Sequence, residues 1–492
     1  MESVISYLFY FLASIFLIYA LLQFRLGIYF LRSFFYGSGV TKNSLEVFPK
    51  VTIQLPVFNE KNVVLDLLNA IENIDYPRHL LQVQILDDST DETSSLISVF
   101  LKNNNLKTTF AHICRGNRDG YKAGALDAAL KQSTGEYIAI FDADFIPPKD
   151  FLIDTLPYFK NSDIAFVQTR WGHANEGLSM LTKIQAFALD MHFTVEQEGR
   201  YFSGDFIQFN GTGGILKKSV IDEAGGWSSD TVTEDLDLSF RIQLLNYKGV
   251  YASDIVCPAE LPTTIEALRI QQTRWIGGGA SCFNKLNKKL FFSSNISWRK
   301  RFFALVHLFH SSMFLFLFSM LLLSVFSSIF YSSNYEPVGF FASLIFTFSL
   351  LSLIFIYGIS FWIGNKRKFG DFPKFLFCFL LFIALNFGMS LNNIIAIING
   401  YRKKILVFNR TPKNKEGDKV KYLALEKRSF IHLLEFLVFS SIIICFLRSI
   451  LNENYTFIFI HFFAMIGFGW VVFKSIFNLF YLKFKKTTPN YN

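Results

Sequence analysis

With 492 residues, 60 phenylalanines and a mean hydropathy above zero, the chain exceeds one soluble domain and reads as partly dissolved in lipid. Its formal charge of +9 comes from 48 basic and 39 acidic side chains, and the basic residues cluster beside apolar runs, which favours a lipid bilayer and sets nucleic-acid binding aside. The five cysteines (Cys114, Cys257, Cys282, Cys378, Cys445) show no Cys-x-x-Cys spacing, which argues against a disulfide framework or a zinc site and fits a reducing, cytosol-facing module.

Residues 4–24 form an almost uncharged run, about as long as a ~30 Å hydrocarbon core requires. It lacks a basic lead-in and a small-residue cleavage site, so it is read as an anchor within a segment 1–36. Charge is then interspersed from about 40 to 300, and a polar module of roughly 250 residues is expected between membrane segments. Inside it, Val51–Leu55, Val83–Leu86, Tyr137–Phe141 and Ala165–Val167 are predicted strands, with helices at about 61–73, 92–104 and 121–132 between the first three. That alternation implies a mostly parallel sheet. In such sheets ligands bind beyond the carboxyl ends of the strands, where Pro56-Val57-Phe58-Asn59-Glu60, Asp87-Asp88 and Asp142-Ala143-Asp144 fall.

Beyond residue 300 the apolar runs return. Candidate spans are 4–24, 302–330, 338–363, 374–398, 430–450 and 456–481. Basic clusters at 25–50, Lys366-Arg367-Lys368, 402–428 and Lys483, Lys485 and Lys486 place the polar module and the C-terminus in the cytoplasm and the N-terminus outside. Were all six spans to cross, the ten basic residues of 402–428 would lie outside. Five crossings are therefore expected, with 374–398 lying in the interface or re-entering, because Asn386, Ser390, Asn392 and Asn393 are costly in hydrocarbon. A sixth crossing with its amides turned to neighbouring helices is the alternative.

Two later segments complete a series. Thr233-Glu234-Asp235 is followed by Gln271-Gln272-Thr273-Arg274-Trp275, and with Asp88 and Asp144 these resemble the inverting, membrane-embedded family 2 glycosyltransferases. Phe209-Asn210-Gly211-Thr212-Gly213 and Glu223-Ala224-Gly225-Gly226-Trp227 are similar to the family's acceptor-end segment. Met191–Glu198 and Asn117–Leu126 look like the cellulose-synthase-like branch, which includes plant glucomannan β-mannosyltransferases and xyloglucan-backbone glucan synthases. The likeness covers roughly residues 50 to 285. Phe408-Asn409-Arg410-Thr411-Pro412-Lys413 is similar to the cellulose synthases' gating loop, with Arg410 where Val is usual.

The resemblance implies a GT-A fold, a Rossmann-like α/β cytosolic domain inserted between transmembrane helices. The expected divisions are an anchor at 1–36, the transferase domain at 45–262, amphipathic interface helices at 263–300, membrane or interfacial helices at 301–400, a basic loop at 401–429, and two membrane helices with a basic tail at 430–492. Implied substrates are a nucleotide-sugar donor, UDP-glucose or GDP-mannose, and a growing polysaccharide. A processive hexosyltransferase making and translocating a β-linked glucan or mannan is the leading expectation; a non-processive enzyme acting on a lipid or short glycan is the alternative. A bacterial inner membrane is the default location, with the Golgi as the alternative.

Each motif then carries a chemical expectation. Asp142 and Asp144 offer two oxygen ligands for Mg²⁺ or Mn²⁺, although an isolated Asp-x-Asp is more often a pair of turn carboxylates. Pro56, Glu60 and Asp88 look like the base and ribose pocket, while Asp-Asp-Ser-Thr-Asp is also good helix-capping chemistry. Lys122 opens a helix and can oppose a phosphate. Asp235 is the expected general base, although Thr233-Glu234-Asp235 is also a good helix start. Gln271, Arg274 and Trp275 share a helix face that can hold sugar and phosphate, with Arg274 on the donor; an interfacial helix anchored by Trp explains two of the three equally well. Asn210, Gly211, Thr212 and Glu234 complete the expected acceptor contacts.

Overall fold

The computed structural model describes residues 2–37, 45, 47–102, 106–330, 340–365, 367–402, 410–411 and 429–487. Seven strands form one sheet: β1 (Val51–Val57), β2 (Leu81–Asp87), β3 (Phe110–Ile113), β4 (Tyr137–Ile140), β5 (Ile164–His173), β6 (Gly214–Lys217) and β7 (Lys248–Ala259). Their spatial order is β3-β2-β1-β4-β6-β5-β7, parallel throughout except for β6, which runs against β4 and β5. The mostly parallel α/β sheet read from the sequence is therefore present. Three of its strands, β3, β6 and β7, lie outside the four that were predicted.

The alternation within β1 explains its central place. Val51, Ile53 and Leu55 point into an apolar cluster with Leu67, Leu68, Phe141 and Phe151. Thr52 and Gln54, on the other face, are wholly buried yet paired: Thr52 Oγ1 donates to Gln82 Oε1 at 2.8 Å, and Gln54 Nε2 to Gln84 Oε1 at 3.1 Å. Burying such groups unpaired would cost on the order of 1–3 kcal/mol each, so the side-chain ladder is what lets β1 sit mid-sheet. β4 splits likewise, Ala139 facing the first cluster and Ile138 and Ile140 a second with Leu126, Phe166 and Phe209. The register Val57↔Asp87 and Gln54↔Ile140 brings the chain out of β1, β2 and β4 at one edge.

Among the described residues, six helices are long and apolar enough to cross a membrane: Ser3–Tyr36, Trp298–Phe330, Ala342–Gly364, Phe372–Tyr401, Phe430–Leu451 and Ile458–Ser475. The chain is an integral membrane protein. Phe372–Tyr401 differs from the rest: 61 % of its most apolar window is buried inside the protein, against at most 39 % elsewhere. It is one uninterrupted helix of 30 residues, so it does not fold back on itself as a re-entering segment would.

Its amides are not left to lipid. Asn386 Nδ2 donates to the Phe382 carbonyl at 2.8 Å, and Asn392 Nδ2 reaches Thr273 Oγ1 at 3.3 Å on the Ile265–Phe292 helix, which carries Gln271, Arg274 and Trp275. Both ends of Phe372–Tyr401 touch the polar module or the helix that follows it. At its start, Phe375 and Phe379 pack with Phe187 and Met191, and in the turn before it Arg367 Nη2 donates to Glu176 Oε1 at 3.1 Å. At its end, the Tyr401 carbonyl accepts from Asn284 Nδ2 at 3.0 Å.

Candidate active site

Beyond the carboxyl ends of β1, β2 and β4 lies a cleft enclosing about 1220 Å³ of empty space, partly open to solvent. Pro56, Glu60, Asp88, Lys122, Asp142, Asp144, Asn210, Glu234, Asp235, Gln271, Arg274 and Trp275 all line it. Gly211 and Thr212 stand behind its wall. The fully buried Thr212 hydroxyl accepts the Asp142 backbone N–H at 2.9 Å, and its carbonyl accepts from Gln168 Nε2 at 3.1 Å. The expected sugar contact of Thr212 is thereby corrected: its hydroxyl fixes the Asp-x-Asp turn.

Gly211 has a backbone reason to be glycine. Its φ is +78°, and a Cβ there would lie 2.8 Å from Asp235 Oδ2, so the bare backbone lets the carboxylate pack against the strand-end loop. Asp235 sits in the first turn of the Glu234–Leu244 helix, its Oδ1 accepting the Leu236 N–H at 2.8 Å. Helix start and cleft residue are thus the same group. The Gln-x-x-Arg-Trp helix meets this turn closely, since a Cβ on Gly278 would approach Thr233 Cγ2 to 2.4 Å.

Lys122 holds the floor of the cleft. Its ammonium donates to Asp142 Oδ1 at 2.5 Å and to the Gly211 carbonyl at 2.9 Å, and lies 4.0 Å from Glu234 Oε1. Burial opposes this charge, and the carboxylates of Asp142 and Glu234 more than offset it, so the pKa is raised. Burial also raises the Asp235 carboxyl, against the pull of Lys122 and Arg274. Glu234 is pushed up to about 7 by burial and then by the Asp235 charge. Both adjacent acids thus hold a proton more tightly than exposed carboxylates do, which suits a group that must accept one.

Asp142 and Asp144 present hard oxygen donors to the same cleft, which fits Mg²⁺ or Mn²⁺ better than a soft metal. Asp144 Oδ2 also accepts the Glu260 N–H at 3.3 Å, tying the turn to the chain leaving β7.

Several groups were not foreseen. Arg115 grips Asp88 through both oxygens, Nε to Oδ1 at 3.1 Å and Nη2 to Oδ2 at 2.5 Å. Asp88 does not cap the helix that follows; in the turn before it, Asp91 Oδ1 accepts the Thr93 N–H at 2.9 Å. The Arg118 guanidinium lies over the Phe58 ring, 3.4 Å from its centroid. Trp171 on β5 stands 6.3 Å from Trp275, ring to ring. Arg410 donates to Glu60 Oε1 at 2.6 Å and Oε2 at 2.5 Å. Of the segment likened to a gating loop, only Arg410 and Thr411 are among the described residues; Phe408, Asn409, Pro412 and Lys413 lie outside them.

Residues 137–473 match the model of the glycosyl transferase family group 2, a stretch that takes in Asp142, Asp144, Glu234, Asp235, the Gln271/Arg274/Trp275 helix and the helices that follow it, while Pro56, Glu60, Asp88 and Lys122 lie before it. The chain belongs to this family. Among curated proteins it is similar to a probable glucomannan 4-beta-mannosyltransferase 11 of Oryza sativa subsp. japonica, 42 % identical over 260 residues that cover 51 % of this chain and 46 % of that protein. Glucomannan 4-beta-mannosyltransferase 9 of Arabidopsis thaliana is 40 % identical over 264 residues, 51 % of this chain and 49 % of its own length. The chain spans about half the length of the curated relatives it matches. Among solved structures, a mannosyltransferase from Pyrobaculum calidifontis, in complex with GDP-Man and Mn²⁺, shares the fold with a TM-score of 0.54 at 18 % identity, covering 81 % of this chain and 99 % of that one. The GT-A fold expectation therefore stands, and the plant relatives lend a bacterial location no support.

Proposed function

We propose that the protein is an inverting, nucleotide-sugar-dependent glycosyltransferase that extends a β-linked polysaccharide of the mannan type from GDP-mannose. The observation that carries this reading is the convergence, around one cleft, of three strand-end carboxylates, the Glu234-Asp235 turn and the Gln271/Arg274/Trp275 helix face. The names of the plant relatives favour mannose over glucose.

In this reading Pro56, Glu60 and Asp88 receive the nucleoside, with Asp88 held in place by Arg115. Asp142 and Asp144 would hold Mg²⁺ or Mn²⁺, which when bound neutralises the departing diphosphate. Lys122 and Arg274 supply further positive charge toward the phosphates. Asp235 takes the proton from the attacking sugar hydroxyl, and its raised pKa makes it a stronger base than an exposed aspartate. No protein acid is needed on the other side, because a cation-bound nucleotide leaves without a proton; glycoside hydrolases differ in needing one. Gln271, Trp275, Asn210 and Glu234 position the acceptor end, with Trp275 presenting a ring face to a sugar.

A second, smaller cavity shares Leu189, Gln271 and Trp275 with the cleft and continues between Gln185, Gln272, Asn386 and Asn393. Its amides suit a polar polymer leaving the acceptor position, which supports processive extension coupled to export. We further propose five membrane crossings, with Phe372–Tyr401 lying along the cytoplasmic interface. The support is the contact of both its ends with the polar module or the helix after it, followed by Arg410 on Glu60. Reagents applied from outside the cell that label cysteines placed in 402–428 would overturn this topology.

The activity test is incubation of membranes carrying the full chain with radiolabelled GDP-mannose and UDP-glucose, each with Mg²⁺ or Mn²⁺, followed by digestion with linkage-specific glycanases. A mannanase-sensitive polymer formed from GDP-mannose is expected. A glucan formed only from UDP-glucose would overturn the donor assignment, and incorporation of a single sugar would overturn processive extension.

A further inference from the structure

Behind the nucleoside end of the cleft, β2 and β3 bring together three side chains that the transfer chemistry does not use. Asp87 closes β2; His112 lies on β3 and Cys114 just after it, two residues apart and so on one side of the strand. His112 Nε2 is 2.9 Å from Asp87 Oδ2 and 3.6 Å from Cys114 Sγ, and the three ligand atoms all lie within 4.8 Å of one another. The Asp87 side chain is fully buried, His112 is one-fifth exposed, and Cys114 is exposed. The trio therefore opens to solvent on its sulfur side.

A relay of the kind that activates a cysteine nucleophile is excluded by the atoms involved. Such a relay needs the carboxylate on one ring nitrogen and the sulfur on the other. Here both approach Nε2. The spacing fits a shared cation instead. For tetrahedral zinc with Zn–N of about 2.0 Å and Zn–S of about 2.3 Å, nitrogen and sulfur stand ~3.5 Å apart, and nitrogen and a carboxylate oxygen ~3.3 Å. The first separation is already met, the second needs an opening of a few tenths of an ångström, and the Asp87 oxygen and Cys114 sulfur, within 4.8 Å of each other, must stand ~3.5 Å apart, which the exposed Cys114 can reach.

We propose that Asp87, His112 and Cys114 form a binding site for a borderline-soft divalent cation of the zinc class, with three protein ligands and a fourth position open to solvent. Its donors are N, S and O, which separates it from the all-oxygen Asp142/Asp144 pair. On binding, the Cys114 S–H bond is replaced by a sulfur–metal bond and the proton passes to solvent. Asp87 precedes Asp88, Cys114 precedes Arg115, and Arg115 clamps Asp88. A cation here pins both strand ends behind the nucleoside pocket and steadies that clamp. The sequence argument against zinc rested on Cys-x-x-Cys spacing and could not see ligands contributed by two strands.

The test uses the purified full-length chain in detergent, reduced and anaerobic, titrated with Co²⁺ in the presence of excess Mg²⁺. A thiolate-to-cobalt charge-transfer band is expected, displaced by Zn²⁺, absent in Cys114→Ser and lost or weakened in His112→Ala. Zn²⁺ is also expected to raise the melting temperature of the wild type and not that of Cys114→Ser, because only the intact site binds the folded state preferentially. Asp144→Ala serves as the control and should leave the band unchanged. No band in the wild type, or a band that survives Cys114→Ser, would overturn the proposal; the other four cysteines are buried.

Discussion

The two walls of the cleft are built on different foundations. On one, Asp88, Asp142 and Asp144 project from strand ends locked by β1–β2 and β1–β4 pairing, with Thr212 and Arg115 holding the turns. On the other, Gln271, Arg274 and Trp275 ride on a helix packed along Phe372–Tyr401 and tied to the membrane helices by a buried ion pair, Arg269 Nη2 to Glu435 Oε2 at 2.9 Å. The first wall is fixed by the sheet and suits a ligand of constant shape, a nucleotide with its cation. The second is fixed only as well as the membrane helices are, which suits the proposed processive extension, in which the product advances past it. Asp235 stands where the walls meet, packed against Gly211 from the first and beside the helix of the second.

The most severe way to break this arrangement is at the junction. Asp235→Asn keeps size and hydrogen bonding but cannot take a proton, and sugar transfer should fall by about 100- to 10,000-fold. Donor affinity, measured by equilibrium dialysis, should stay within about threefold, because the sheet wall is untouched. A comparable loss of donor binding would show that the residue serves the nucleotide instead.

The second wall should fail through its anchor. Arg269 and Glu435 side chains are 2 % and 1 % exposed, so Glu435→Ala leaves a guanidinium buried without its carboxylate, at a cost of about 3–5 kcal/mol. The expected readout is a lower melting temperature in detergent with Co²⁺ and nucleotide binding altered much less at low temperature. Trp275→Ala acts at the surface of the same wall. Loss of one ring face for a sugar is worth roughly 1 kcal/mol, so the acceptor KM should rise about fivefold and product length shorten, with donor KM little changed.

How much of this was legible in the chain follows the same division. β1, β2 and β4 are marked by short apolar runs bounded by polar turns, and that pattern alone places their carboxylates at one edge. β3 and β6 are as short as β4 but lack its apolar run, His112 interrupting the first and Gly214 and Lys217 bounding the second, and β7 carries Asp254 and Pro258 within a pairing broken by a register shift at Thr169/Arg170. Arg115 sits in a loop with no motif around it, and its partner Asp88 is 27 residues away. Arg410 was visible as an oddity, but Glu60, 350 residues distant, could not be guessed as its partner. Periodicity reports local structure; pairings across the fold leave no local trace.

The Glu234-Asp235 pair gives a pH test of intermediate size. The Glu234 pKa is raised from 4.5 to about 7, so burying it favours the protonated form, and its contribution to stability is full below pH 4.5 and lost as pH rises through about 7. The unliganded protein should therefore melt at a lower temperature near pH 8 than near pH 5 as far as this group acts, and Glu234→Gln should remove part of that slope. In activity the sign reverses. Asp235 must be ionised to act, so the acid limb of kcat/KM should lie above that of an exposed aspartate, and Glu234→Gln should leave that limb nearly in place, because Glu234 is itself protonated where Asp235 loses its proton.

The smallest effect is expected where the chain after Phe372–Tyr401 meets the sheet wall. The Arg410 side chain is 24 % exposed and that of Glu60 11 %, so their bidentate pair is partly screened and contributes on the order of 1 kcal/mol. Its charge matters more than its stability. Arg410→Ala removes one positive charge from beside Glu60 in a cleft proposed to admit a diphosphate, so donor KM should rise about threefold at low salt, an effect that shrinks as salt screens it. Glu60→Gln/Arg410→Ala removes both charges, and a double-mutant cycle on donor KM should show the pair coupled. Additive effects would mean that Arg410 touches the donor independently of Glu60, and a lower KM in the single mutant would mean that Arg410 occupies space the donor needs. Either result would loosen the division between the walls, since a residue that follows the membrane-side helix would then be shaping the pocket that the sheet alone is here taken to define.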